Sequence, residues 1–88
     1  MKIEFDPAKD AINRNKHGIS LGEAARIDWD NVVAWPDRRF DYGEDRISGL
    51  GYLGDRLYAV IFVDRGDIRR VISLRKANKR EEKTYARA

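Results

Sequence analysis

Between Asp6 and Gly18 the side chains repeat at helical spacing. Ala8, Ala11 and Ile12 share one face with Asn15, while Lys9, Asn13, Lys16 and His17 share another at steps of three and four. This spacing predicts an amphipathic helix over 7–17 that buries its alanine and isoleucine side and turns a basic stripe outward. Asp6 suits the N-cap, Pro7 the first turn, and Gly18 the left-handed residue that ends such a helix. Ahead of it, Ile3-Glu4-Phe5 alternates like a short edge strand. Ser20-Leu21-Gly22-Glu23 has the form of a capping box and predicts a second helix over 21–29, burying Leu21, Ala24, Ala25 and Ile27. Val32 to Trp35 is apolar without a period and Pro36 ends it. Asp37 to Asp45 is polar, contains Gly43, and reads as a turn or exposed edge region.

The second half changes to period two. Residues 46–53 form a strand in which Gly49 and Gly51 mark a bulge or a close backbone approach. Gly54-Asp55 is a hairpin turn. Leu57 to Val63 is apolar on both alternating faces, the pattern of a central strand covered from both sides, with the strand running over 57–64. Arg65-Gly66-Asp67 turns the chain into a last strand over 68–75. There Ile68, Arg70, Ile72 and Leu74 alternate with Arg69, Val71, Ser73 and Arg75. Neither set is purely apolar, so an arginine lies against a surface that the sheet uses. A charged helix over 78–87, entered through Asn78, closes the chain. The order β-α-α-β-β-β-α predicts an α+β domain with a mostly antiparallel sheet, one domain over 1–88.

Composition removes several kinds of chemistry. There is no cysteine, hence no disulfide, thiolate nucleophile or thiolate zinc cluster, which favours a reducing, cytoplasmic home. With one histidine, any metal site would rest on carboxylates, so neither a metal nor another cofactor is expected. No glycine-rich phosphate loop is present, and no nucleophile elbow surrounds Ser48 or Ser73. The chain holds no 18-residue apolar run and no apolar leader after Met1, so neither a membrane span nor a signal peptide is expected. The net charge of +3 is unevenly divided. Residues 1–64 carry 9 basic and 12 acidic side chains, and residues 65–88 carry 9 and 3. A basic terminal quarter suits either a polyanion contact or a solvated, salt-bridged helix.

Individual residues keep two readings at this point. His17, in the last turn of its helix where the dipole favours imidazolium, is either an acid–base group or a cap for the helix carbonyls. Glu44 and Arg46 form either a site or an exposed ion pair. Arg70 and Arg75 either hold phosphate or bridge to acidic residues of the first half, and Tyr85 either acts in a site or anchors the last helix to the sheet. Together these residue types suit metal-free RNA cleavage. That reaction uses the ribose 2′-hydroxyl as nucleophile and needs a base, an acid at the leaving 5′-oxygen, and cations around the phosphorane.

Three separated blocks then resemble the BrnT family of type II toxin–antitoxin toxins, grouped with the RelE-like ribonucleases. They are Phe5-Asp6-Pro7-Ala8-Lys9 with Asn13 to Ser20 and Glu23-Ala24; Gly43-Glu44-Asp45-Arg46; and Arg70 to Ala77 with Arg80-Glu81 and Tyr85. Phe5, Leu21 and Leu74 stand where the family often has Trp, Phe and Ala. The resemblance implies a RelE-like fold, with N-terminal helices on a small sheet and a C-terminal helix, and RNA cleavage that inhibits translation. It also implies a BrnA-type antitoxin whose ribbon-helix-helix domain carries the pair to operator DNA. Carried over, His17, Glu44, Arg46, Arg70, Arg75 and Tyr85 are the catalytic candidates. Lys9, Lys16, Arg69, Lys76, Lys79 and Arg80 are the RNA-binding candidates. A non-catalytic nucleic-acid-binding regulator or interaction subunit is the alternative from a different class.

Overall fold

The two-sided apolar segment lies where its pattern places it, at the centre of a five-stranded sheet. In the computed structural model, which describes residues 1–39 and 43–88, the strands are β1 (Lys2–Glu4), β2 (Val33–Pro36), β3 (Ile47–Leu53), β4 (Arg56–Arg65) and β5 (Ile68–Lys76). Their order is β1-β5-β4-β3-β2, with β1 parallel to β5 and every other pair antiparallel. Helices α1 (Pro7–His17) and α2 (Lys79–Ala86) complete an α+β fold consistent with a RelE-like toxin. Residues 40–42, the middle of the predicted 37–45 turn, lie outside the described residues.

Each face of the sheet has its own cover. On one, Val60, Phe62, Val71 and Leu74 pack beneath Leu21, Ala24 and Ile27. On the other, Leu50, Leu57 and Ala77 form a smaller cluster with Ala59 and Tyr85 of α2. Gly49 and Gly51 mark a close approach. A Cβ on Gly51 would stand 2.6 Å from Val32 Cγ2 and 2.9 Å from Ile27 Cγ2, so this strand can meet its cover only without a side chain there.

The predicted helix over 21–29 is replaced by two 3₁₀ turns, Leu21–Arg26 and Trp29–Asn31. The local hydrogen bonds give the reason. The Leu21 amide donates to Asp10 Oδ1 at 2.7 Å, and the Trp29 indole N–H donates to the Ala24 carbonyl at 2.9 Å. Ser20 accepts from the Gly22 amide, but Glu23 pairs with Arg26 at 2.8 Å rather than reaching back, so the capping box does not form.

Helix α1 forms with the predicted caps, Asp6 accepting from the Ala8 amide and Gly18 at φ 72°, yet its faces are inverted. Asp10 and Asn13 are buried, while Ile12 is 64% exposed. Strand β1 is only three residues long and covers β5 from Ile68 to Arg70, leaving the backbone beyond it without a neighbouring strand on that side. The Asn13 side chain takes that place, donating to the Leu74 carbonyl at 2.9 Å and accepting from the Leu74 amide at 3.1 Å. Buried backbone groups must be paired, and this requirement outweighs the burial of one isoleucine.

Strand β5 explains its own mixed alternation. Ile61 pairs with Ser73 but Phe62 pairs with Val71, so Ile72 is an extra residue in a β-bulge. The bulge places Val71 and Leu74 together in the core and sets Arg70, Ser73 and Arg75 on the other face.

Candidate active site

The face bearing Ser73 and Arg75 is floored by small and aliphatic side chains. Register aligns Trp35 with Ser48, Ser48 with Ile61, and Ile61 with Ser73 in one row across four strands; Leu50, Ala59 and Arg75 form the next. Over these rows lies a cleft of about 420 Å³. The end of α1 supplies Lys16 and His17 to it, the segment after β2 supplies Asp37, Arg38 and Arg39, and α2 supplies Glu81. The helix must end at Gly18 for His17 to stand at this rim. The bulge must fall at Ile72 for Arg75 to face the same space.

Arg75 is held in a fixed orientation. Its Nη1 and Nη2 donate to Glu81 Oε1 and Oε2 at 2.8 and 2.9 Å, a bidentate fork. The same Glu81 completes a capping box, accepting from the Asn78 amide at 2.9 Å while Asn78 accepts from the Glu81 amide at 2.8 Å. The guanidinium fork holds the Glu81 carboxyl below the usual carboxylate range. Asp37 is likewise kept ionised, chiefly by its hydrogen bonds from Arg39 at 2.9 and 3.0 Å. Lys16 and Arg38 make no ion pair among the described residues, so the cleft retains cationic character.

His17 departs from the dipole expectation. Desolvation, with the cations of Lys16 and Arg75 beside it, lowers its pKa from the ordinary 6.5, so the imidazole is predominantly neutral at pH 7. A neutral imidazole can accept a proton, and an arginine fork beside it can stabilise charge on a phosphoryl oxygen.

Of the sequence candidates, the cleft brings together Lys16, His17 and Arg75. Lys9 lines an adjoining recess with Ile12, Lys16, His17 and Ile72. Arg70 lies on the same sheet face nearer β1, paired with Glu4 at 2.8 Å. Glu44 pairs with Arg65 at 2.9 Å rather than with Arg46, and that bond is the main cause of its lowered pKa. Arg46 precedes β3, its carbonyl accepting from the Asp37 amide at 2.8 Å. Tyr85 anchors α2, its hydroxyl donating to the Asn31 carbonyl at 3.1 Å and its ring edge-on to Tyr52 at 5.4 Å. Arg69 is on the opposite face, stacked over Phe62 at 4.3 Å and Trp29 at 4.6 Å. Lys76, Lys79 and Arg80 are exposed outside the cleft.

Sequence reasoning missed Trp35, Arg38, Arg39, Ser48 and Ser73 as lining residues. The available signal was Val33/Trp35 alternation in β2, obscured by apolar Ala34. Among the described residues no group of three His, Asp or Glu is placed to hold a metal ion, and no helix is long and apolar enough to cross a membrane. A family model described as a ribonuclease toxin, BrnT, of type II toxin–antitoxin systems matches residues 5–81. No curated protein matches the chain.

Proposed function

The chain belongs to the BrnT family of ribonuclease toxins of type II toxin–antitoxin systems, and from that premise we propose that it cleaves RNA in the cleft around Arg75 without a metal ion. The observation that carries this reading is the juxtaposition of a neutral His17 with a Glu81-held Arg75 in one cleft above the sheet. His17 takes the proton of a ribose 2′-hydroxyl. The 2′-oxygen attacks the adjacent phosphorus, the bond to the 5′-oxygen breaks, and Lys16 supplies the proton to the leaving oxygen. Arg75 stabilises the charge that builds on the phosphorane. The products are a 2′,3′-cyclic phosphate and a free 5′-hydroxyl.

In the cell, cleavage in the cytoplasm inhibits translation. A BrnA-type antitoxin with a ribbon-helix-helix domain neutralises the toxin, and the complex represses its operon at operator DNA. What supports these steps is the family membership together with the cationic cleft. Two measurements test the reading. Induction of the protein should arrest growth, and co-expression of the neighbouring antitoxin should relieve the arrest. Purified protein should cleave RNA, with Arg75→Ala slower by ~10²–10³, the usual loss of a transition-state charge contact. RNA bound but never cleaved would favour the non-catalytic regulator.

A further inference from the structure

A cationic cleft can grip a phosphate, but it needs a second element to hold the nucleotide in register. Arg75 and Trp35 stand at opposite ends of the cleft floor. Their strands, β2 and β5, are three strand intervals or about 14 Å apart, and the two residues stand in adjacent register rows, over Ser48, Ala59, Ile61 and Ser73. Both side chains line this cleft, so a short stretch of RNA crossing the floor passes both. Trp35 is 40% exposed although it is a large apolar side chain, and it is the aromatic residue among the described residues lining the cleft.

The other described aromatic residues are engaged elsewhere. Trp29 packs edge-on against Phe62 at 5.3 Å beneath Arg69, and Tyr85 is taken by Tyr52 and Asn31. The Trp35 indole makes no ring contact among the described residues. It lies on edge strand β2, anchored by pairing with Ser48, so its backbone is fixed while its ring is open.

We propose that Trp35 is the stacking platform for one unpaired nucleobase of the RNA, seated while a neighbouring backbone phosphate lies at Arg75. The proposal rests on the ribonuclease reading above and adds to it the requirement for a single-stranded substrate with one dominant base position. Stacking on a π-face tolerates any base, so this subsite fixes register more than sequence.

The test uses a non-cleavable 2′-O-methyl oligoribonucleotide of about ten nucleotides, scanned with a single abasic residue. Trp35→Ala should weaken binding about 5- to 100-fold, and Trp35→Phe should recover part of it. One abasic position should cost the wild type as much as Trp35→Ala does, and should add nothing in that variant. Oligonucleotide binding should quench indole emission in the wild type but not in Trp35→Phe, whose remaining indole, Trp29, also reports that the fold is intact. Unchanged binding by folded Trp35→Ala, or an abasic penalty that persists in it, overturns the proposal. So does a variant that loses affinity for the antitoxin but not for RNA, since the ring would then be a protein contact. In each of these cases wild-type cleavage of RNA leaves the ribonuclease reading standing; a wild type that neither binds nor cleaves RNA removes both.

Discussion

At the scale of single residues, His17 and Arg75 make opposite demands on their surroundings. Arg75 is always charged and needs only orientation, which Glu81 supplies through both guanidinium nitrogens. Arg75→Lys should therefore recover only part of the rate lost in Arg75→Ala, because an ammonium cannot reproduce the fork. His17 needs the right protonation state. Its pKa in the folded protein lies below 6.5, so on acidification the unfolded chain takes up the proton first, and stability falls as the pH drops below that value. His17→Ala should remove this slope from a titration of melting temperature against pH. In kcat/KM for RNA cleavage, the acidic limb should lie below pH 6.5 and should vanish in the same variant. Lost rate at unchanged melting temperature supports proton transfer by His17. Equal activity with reduced stability makes it a helix-end residue and removes it from the proton transfer.

Among the elements, α2 has no buried residue and depends on a few contacts: the Asn78–Glu81 capping box, the Arg75 pair and the Tyr85 anchor. Asn78→Ala should cost about 0.5–2 kcal/mol in denaturant unfolding, the usual loss for a helix cap. Gly51→Ala should be more harmful, about 1–3 kcal/mol, because the added methyl meets Val32 and Ile27 across the closest approach in the core. Gly49 and Gly51 pointed to a bulge or a close approach, of which the structure shows the second, and the capping signals around Asp6, Gly18 and Asn78 and the two-sided pattern of β4 were legible outright. The inverted face of α1 was not. Burying Asn13 makes sense only once β1 is seen to stop short and leave the Leu74 backbone to be paired. The Ile72 bulge was hidden for the same reason, because a register shift is a property of two strands. Without it, alternation cannot place Arg70 and Arg75 on one face.

Over the whole molecule, the basic stripe of α1, the mixed alternation of β5 and the family resemblance together named His17, Lys16 and Arg75, while the remaining cleft residues come from β2, the segment after it, β3, β4, β5 and α2, which only tertiary pairing unites. A cleft rimmed by Lys16, Arg38 and Arg75 should bind RNA with strong salt dependence, log affinity falling linearly with log salt concentration. The antitoxin is expected to neutralise the toxin largely by covering the basic surface of the terminal quarter, residues 65–88, with an acidic or amphipathic segment. A complex in which the partner contacts only the acidic first half and leaves Arg70 and Arg75 open would contradict that. The central claim, that this cleft cleaves RNA through its own 2′-hydroxyl without a metal, is tested most directly by the end groups of the products formed in EDTA. The account predicts undiminished cleavage with 2′,3′-cyclic phosphate or 3′-phosphate ends opposite 5′-hydroxyls. Products bearing 5′-phosphates, or cleavage restored only by added Mg²⁺, would contradict it.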